Sequence, residues 1–473
     1  MISKYLRTFI IVMTIACISL SSYAIDLPYI SFGDKSKAKS SETDMNESVN
    51  KSDGTVLTSI DFSQSLTLRQ CIDIALENSP TMKVAKISLI EQELSIEDAK
   101  SNYLPRADIS GSYMFSDNID FGWEKENYNA SLDASYTIWD HGQRKSTLKQ
   151  AEARKEAENS RYRKTTQSLV YNVIRAYYTL LEAEKIIAVD EQLLEISKRD
   201  VEKIKAYIEN GWAIEADLAT ARVQQANNEL TLINDLNNLN IARANLAVIL
   251  GLEPEVEVNV IDDPDYEVYV KTGLIETEQV LAEDMKAQSM TSRPELAELQ
   301  ANKSVLELAA QLAQLERWPK LSADAGFNLM LDDYLRERDS IKHYKSWDVM
   351  ARLTFPLFDG GRSKRVVEKA ELALQRIDEN ESELKQSISL EVRQAYLDFE
   401  RSKKSLDIAA AQVVDANMSL EVTQARYELK EATLLELLDV QARYARSLIN
   451  RVRAFYDYKI ARRALEKAMG VLK

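Results

Sequence analysis

The stretch YNASLDASYTIWDHG, residues 128–142, alternates apolar and polar residues and ends in a Trp-Asp-His-Gly motif. Tyr128 and Leu132 lie on one face of an extended chain, and Ser131 and Asp133 lie on the other. No proline or glycine follows until Gly211. Because these two residues punctuate local structure, the stretch predicts a strand that runs directly into a very long helix.

The same stretch occurs twice. WDVMARLTFPLFDGG, residues 347–361, follows the first copy at a shift of 219 residues, with the same alternation and a Phe-Asp-Gly-Gly end. Leu246 and Gly251 recur at that shift as Leu465 and Gly470, while Pro105 recurs as Pro319 at a shift of 214. A register held this long indicates duplication. We divide the chain into a first repeat at 61–252, an equatorial linker at 253–291 and a second repeat at 292–473.

In each repeat, another alternating segment precedes the one quoted above. Strands are therefore predicted near 107–139 and 321–356. An ordinary half-buried sheet is the simplest interpretation of alternation, but the segments have the length of a strand that crosses a bilayer. Tryptophans lie at or near the predicted strand ends, as in an aromatic girdle: Trp123, Trp139, Trp318 and Trp347. Four strands are too few to close a barrel, and open edges do not persist in lipid. Several protomers are therefore expected to share one barrel.

Long helices are expected over residues 141–210 and 363–429, each followed by a shorter one. At 1.5 Å per residue the long helices span roughly 100 Å. A strict heptad of large residues runs through each, which predicts left-handed supercoiling. The heptad positions are Val173, Leu180, Ile187, Leu194, Val201 and Ile208, and then Val392, Phe399, Leu406, Val413, Leu420 and Tyr427. Taken alone, the heptads would also suit a plain coiled-coil stalk.

Composition excludes several classes of protein. The 473 residues include only 8 prolines and 12 glycines, which argues against a sandwich or propeller. The formal charge of -15 makes nucleic acid a poor partner, since an acidic chain repels phosphate. With two histidines, two cysteines and no nucleotide-binding or nucleophile motif, we predict no enzyme, no catalytic or metal-binding residues and no cofactor.

The N-terminus has the pattern of an export signal. Lys4 and Arg7 precede an apolar run, and Ala24 ends a small-residue cleavage site, so 1–24 is a predicted signal peptide. Residues 25–60 are polar and are expected to form a disordered leader. Cys17 raises the alternative of a lipid anchor, but the residues before it lack the usual leucine, which argues against this.

At these motifs the chain resembles the TolC family of outer-membrane efflux and secretion channels. The resemblance rests on Leu66-Thr67-Leu68, Ala75-Leu76, Leu104-Pro105, the two strand-to-helix motifs, Ala176-Tyr177 and Leu246 to Gly251. It implies a mainly α protein with membrane β-strands. Three protomers of four strands would form a homotrimer with a 12-stranded β-barrel in outer-membrane lipid, continued by a periplasmic α-barrel.

The resemblance also implies partners and sites. Family members dock through helical-hairpin tips onto a periplasmic membrane-fusion adaptor and an inner-membrane transporter of RND, ABC or MFS type. The tips would be Asn210, Gly211, Trp212, Ala213 and Ile214 and, in the second repeat, Lys430, Glu431, Ala432 and Thr433. Lys430 stands where the first tip has glycine, which leaves the geometry of the second turn open. Candidates for a periplasmic gate are Tyr427, Glu428 and Glu431.

The sequence thus favours an outer-membrane exit duct of a tripartite efflux pump or type I secretion system. Substrates would pass from periplasm to exterior without energy from the duct itself. The alternative is a coiled-coil envelope spacer or adhesin without channel activity. No motif identifies the cargo or the pump, or separates efflux from protein secretion.

Overall fold

The computed structural model describes residues 65–118, 123–273, 282–334 and 342–472. The predicted signal peptide, the leader and Cys17 lie outside the described residues. The first repeat comprises α1 (Leu68–Asn78), α2 (Pro80–Ser101), β1 (Arg106–Asn118), β2 (Trp123–Trp139), α3 (Gln143–Glu209) and α4 (Glu215–Ile249). Two short helices follow, α5 (Pro264–Thr272) and α6 (Ala282–Ser292). The second repeat comprises α7 (Pro294–Leu315), β3 (Lys320–Tyr334), β4 (Lys342–Thr354), α8 (Arg362–Glu428) and α9 (Leu434–Ala468).

The helices of the two repeats correspond residue by residue. Helix α7 has the bounds of α2 shifted by 214, and α8 and α9 have the bounds of α3 and α4 shifted by 219. Both α3 and α8 contain 67 residues and start after a left-handed glycine, Gly142 or Gly361. The predicted combination of very long helices with strand hairpins is confirmed. None of the described helices is both long and apolar enough to cross a membrane.

The four described strands form one antiparallel sheet in the order β1-β2-β3-β4. Its register places apolar residues opposite one another across all four strands: Ile109, Leu132, Phe327 and Trp347 form one such row. The sheet therefore has one apolar and one polar face, as the alternation predicts. Because the sheet is open, β1 and β4 are its two edges.

The prediction that Trp347 begins a strand is wrong. Strand β4 starts at Lys342, and Trp347 pairs with Phe327 in the middle of the sheet. Polar residues such as Lys342 and Lys345 at the start of β4 hide the alternation from the sequence pattern. Trp123 and Trp139 are the end residues of β2, and Trp318 precedes β3, while the girdle itself stays a prediction.

The long helices pack side by side along their heptad positions. Val173, Leu180 and Val201 are buried on α3, and Leu406 and Val413 are buried on α8. Helix α3 packs against α2, α4, α7 and α9, while α8 packs against α9, α7 and α6. Burial of these stripes, rather than helix propensity, supplies most of the stability of such helices.

The segment between the repeats packs onto the helices near their middle. The Tyr269 hydroxyl of α5 donates to the Leu406 carbonyl at 2.8 Å, and Lys459 of α9 pairs with Asp263 at 3.0 Å. The backbone of Val260 forms a parallel bridge with Leu66. These contacts are consistent with a belt around the helices, although the division at 253–291 stays a prediction.

Each repeat ends on a glycine that has no room for a side chain. A Cβ on Gly251 would lie 2.7 Å from the Asn78 carbonyl oxygen, and one on Gly470 would lie 2.9 Å from that of Ser292. Both glycines have a left-handed φ. Gly211 has a similar φ but nothing within 4 Å of the Cβ position.

We therefore expect Gly251→Ala and Gly470→Ala to destabilise the protein more than Gly211→Ala does. Left-handed strain alone costs about 1–2 kcal/mol, and the backbone clash adds to it at the first two positions. Thermal unfolding followed by circular dichroism measures the difference. Equal melting temperatures for all three variants would contradict the close approach.

Candidate channel surface and hairpin tips

The apolar face of the sheet is exposed in the protomer. Ile109, Leu132, Phe327 and Trp347 are each between 44% and 77% exposed although all are large and apolar. An exposed apolar face of this extent marks an interaction surface. Combined with strands of 13 to 17 residues, it has the character of the outer face of a membrane barrel.

Acidic residues share one level on the polar face. The register places Asp108, Asp133, Gly326 and Asp348 in a single row across the four strands. Next to it, the Ser110 and Ser131 hydroxyls are hydrogen-bonded at 2.8 Å. Such a face suits water, because its hydroxyls and carboxylates can be hydrated.

Two of these carboxylates carry uncompensated charge. Arg106 pairs with Asp108 at 2.8 Å, whereas Asp133 and Asp348 have no ion-pair partner within the described part of the chain. Asp133 accepts a hydrogen bond from Ser131 at 2.7 Å. A Cβ on Gly326 would lie 2.9 Å from Asp348 Oδ1 and 3.5 Å from Asp133 Oδ1, so both carboxylates lie close to the side-chain position of the glycine. The polar face is therefore electronegative at this level.

Aromatic side chains meet where the sheet joins the helices. His141 stacks on Trp318 with ring centroids 4.2 Å apart and meets Trp139 edge-on at 5.4 Å. Its φ of 53° is left-handed, as is that of Gly360 at the equivalent position. His141 is thus a turn residue whose ring packs between those of Trp139 and Trp318.

The two hairpin tips adopt the same turn. The Trp212 amide donates to the Tyr207 carbonyl at 2.7 Å, and the Glu431 amide donates to that of Arg426 at 2.8 Å. Gly211 has φ 69° and Lys430 has φ 65°, so Lys430 accepts the left-handed conformation of the glycine it replaces. The geometry of the second turn, left open by the sequence, therefore matches that of the first.

The tips also contact each other. The Lys430 ammonium lies 4.5 Å from the centre of the Trp212 ring, a cation–π contact. Beneath it, Val201 and Ile204 of α3 pack with Leu434 and Leu438 of α9, and Tyr427 packs against this cluster. The predicted tip residues are thus brought together, and Trp212 and Ile214 remain more than half exposed.

An ion pair joins the long helices just above the tips. Lys203 Nζ lies 3.1 Å from Glu428 Oε1 and within about 6 Å of the rings of Tyr207 and Tyr427. Burial alone would lower the pKa of Lys203, but Glu428 and Tyr207 raise it above its ordinary value. The hydrogen bond from Lys203 lowers the pKa of Glu428.

Of the three gate candidates, the structure places Glu428 in this ion pair and Tyr427 against the cluster, where burial raises its pKa. Glu431 lies in the tip turn, where its carbonyl accepts from Arg426 at 3.0 Å. The sequence reasoning missed Lys203, because its partner is 225 residues away and no spacing rule links them. No group of three or more metal-ligating side chains occurs in the described residues.

A model of the outer membrane efflux protein family matches residues 71–252 and 287–471, one segment in each repeat. The chain belongs to the outer membrane efflux protein family. The chain is 23% identical over 411 residues to the outer membrane protein TolC of Vibrio cholerae, covering 86% of this chain and 91% of that protein. This protein is therefore an outer-membrane channel of an efflux or secretion system, with an extension into the periplasm.

Solved structures share the fold of this efflux protein. The CmeC outer membrane channel of Campylobacter jejuni superposes with a TM-score of 0.71 at 17% identity and covers 85% of each chain. The open state of the Neisseria gonorrhoeae MtrE channel gives 0.69 at 18% identity, with 86% of this chain and 89% of that chain covered. The predicted family and fold are confirmed.

Neutralising both carboxylates above Gly326 should reduce the cation preference of the channel. We expect Asp133→Asn with Asp348→Asn to lower the cation-to-anion permeability ratio at least about twofold in 0.1 M salt, and less at 1 M, where screening is stronger. Bilayer reversal potentials under a salt gradient measure this ratio. Glu97→Gln with Asp98→Asn, on α2, removes the same charge away from the sheet and should leave the ratio unchanged. An unchanged ratio in the first variant would show that the row does not face the pore.

Proposed function

We propose that three copies of this chain form a passive duct that conducts substrates from the periplasm to the exterior. The observation that carries the proposal is a four-stranded sheet with one exposed apolar face, one acidic face and two open edges. Four strands cannot enclose a pore, whereas three copies supply twelve. The long helices of the three copies would continue the barrel as a tube.

The exposed hairpin tips are the proposed docking surface for a periplasmic membrane-fusion adaptor. Trp212 and Ile214 in the first tip and Leu429 beside the second are exposed large apolar residues at the ends of the longest helices. Such residues are typical anchors of protein interfaces. An inner-membrane transporter of RND, ABC or MFS type would supply the energy, so the duct itself needs no catalytic residues and no cofactor.

Mass and conductance together test the duct. We expect the detergent-extracted protein to have the mass of a trimer and to form discrete ion channels in planar bilayers. An envelope spacer or adhesin, the alternative, would give no conductance whatever its oligomeric state. A monomer without conductance would overturn the proposal.

We further propose that the Lys203–Glu428 pair holds the periplasmic end of the tube closed. The pair joins α3 to the end of α8, and the contact of Lys430 with Trp212 ties the adjoining tips. Because both side chains of the pair are partly exposed, the pair is weak enough for an adaptor to break, yet its loss would still shift the balance between the closed and open states.

Breaking this pair should raise the open probability of the channel. We expect Glu428→Gln or Lys203→Met to increase it severalfold, and the charge reversal Lys203→Glu with Glu428→Lys to restore much of the closed state. Glu202→Gln is the matched control, because Glu202 pairs with Lys205 on the same helix at 2.5 Å. Single-channel recording measures each variant. A wild-type open probability in Glu428→Gln would exclude this role for the ion pair.

The Lys203–Glu428 ion pair should also respond to acid. Because Lys203 lowers the pKa of Glu428, the pair is complete above the ordinary value of 4.5 and is lost as the pH falls through the lowered value. We expect the wild-type channel to open at acid pH and Glu428→Gln to lose that response. Recording both proteins from pH 7 down to pH 3 tests it.

A further inference from the structure

Two aspartates face each other between the helices of the first repeat. Asp190 of α3 is only 2% exposed and lies three residues after Ile187, at a heptad position where coiled coils place apolar side chains. The carboxyl group of Asp235 on α4 lies within hydrogen-bond reach of it. Asp190 Oδ2 accepts no hydrogen bond from any N–H or O–H group of the described residues. A buried polar atom in this state is costly, so the pair calls for a donor that no neighbouring side chain supplies.

Contacts on either side fix the level of the pair. The Arg243 guanidinium of α4 lies 3.3 Å from Glu184 of α3, and the Asn228 side chain of α4 donates to the Leu193 carbonyl at 3.4 Å. Since the two helices run antiparallel, these contacts bracket residues 190 and 235. The packing of the helices therefore holds the two carboxyl groups opposite one another.

The second repeat has alanines in place of this pair. At the shift of 219, Asp190 corresponds to Ala409 of α8 and Asp235 corresponds to Ala454 of α9. These alanines are 6% and 7% exposed, and α8 packs on α9 as α3 packs on α4. The packing of a long helix on its partner thus does not require carboxyl groups at this level. The aspartates are an addition specific to the first repeat.

The surrounding charges compensate the pair only in part. Arg453 of α9 is the cation that acts on Asp190, but its Nε also lies 3.9 Å from Glu182 Oε1 of α3. Asp457 of α9 adds a further negative charge beside Glu182. Arg453 therefore has four carboxyl groups around it. A cavity of about 190 Å³ lined by Asp235, Glu182 and Arg453 adjoins the pair and is large enough to hold water that exchanges protons with it.

Two buried carboxyl groups in contact are costly when both are ionised. Burial, and then the facing Asp235, raise the pKa of Asp190 to about 7, although Arg453 acts in the opposite direction. A proton between the two groups replaces repulsion by an O–H···O hydrogen bond and gives Asp190 the donor that it lacks. Because the groups interact strongly, this proton belongs to the pair rather than to either residue.

We propose that Asp190 and Asp235 form a proton-binding site that holds α4 on α3 when it is occupied and loosens this contact when it is empty. The site does not depend on the proposed duct, because both helices belong to one chain. The pKa of Asp190 is raised above its ordinary value of 3.8, so the stabilisation is complete below that value and is lost as the pH rises through about 7. The pair between Lys203 and Glu428 has the opposite dependence, since it is lost in acid.

Hydrogen exchange followed by mass spectrometry tests the site in the detergent-extracted protein. Each pH unit below the pKa of the pair favours the closed contact up to about tenfold. We therefore expect the amide protection of residues 228–243, corrected for the intrinsic effect of pH, to be about tenfold greater at pH 6 than at pH 8. Asp190→Asn, whose amide can donate to Asp235 at any pH, should be protected equally at both. Asp190→Ala with Asp235→Ala, which copies the second repeat, should also lose the pH dependence.

Glu182→Gln is the matched control. Burial and Asp457 raise the pKa of Glu182 to about 7 as well, but Glu182 is not a member of the pair, so this variant should keep the tenfold change. Equal protection of the wild-type protein at pH 6 and pH 8 would overturn the proposal. So would a pH dependence that persists in Asp190→Asn.

Infrared difference spectra between pH 6 and pH 8 detect the proton directly. In the Glu182→Gln protein, the C=O band of a protonated carboxylic acid should be present at pH 6 and absent at pH 8. Adding Asp190→Ala with Asp235→Ala should remove the band at both pH values. A Glu182→Gln protein without the band at pH 6 would show that the pair holds no proton, whatever cation takes its place.

Discussion

A backbone amide or carbonyl that faces hydrocarbon without a hydrogen-bond partner costs several kcal/mol, and this constraint shapes the whole molecule. The sheet has four strands in an open order, so two edges of unpaired backbone groups remain in each chain. No side-chain substitution can remove that cost, because it belongs to the backbone. Only closure of the sheet removes it, and closure requires more strands than the described part of one chain supplies. Oligomerisation is in this sense a condition of membrane insertion.

Duplication is an economical solution to that constraint. Each repeat supplies one strand hairpin and a set of packed helices, and the two repeats join within the chain where β2 pairs with β3. Gly251 and Gly470 illustrate how far the repeats have kept the same packing. Each approaches the backbone carbonyl of the residue that ends a helix, Asn78 at the end of α1 and Ser292 at the end of α6.

Periodic features could be predicted from the sequence, whereas contacts between distant residues could not. The bounds of α3 and α8 follow from the absence of proline and glycine, and they lie within two residues of the prediction. The register of the repeats shows in addition that the two strand hairpins are equivalent. Trp347 was misplaced because charged residues at the start of β4 interrupt the alternation. The pair between Lys203 and Glu428 and the row around Gly326 depend on how helices and strands meet, and local patterns do not encode that. The roles of the tip and gate residues remain proposals.

The second hairpin tip shows how the repeats can diverge without losing their geometry. A left-handed backbone costs a lysine about 1–2 kcal/mol more than it costs a glycine. The cation–π contact between Lys430 and Trp212 offsets part of this cost, about 0.5–1 kcal/mol at an exposed site, and does so only because the first tip lies alongside. Glycine in the first tip and lysine in the second are therefore not independent choices. The aromatic ring of the first tip offsets part of the strain in the second turn, so the stability of the second turn depends on the two tips staying together.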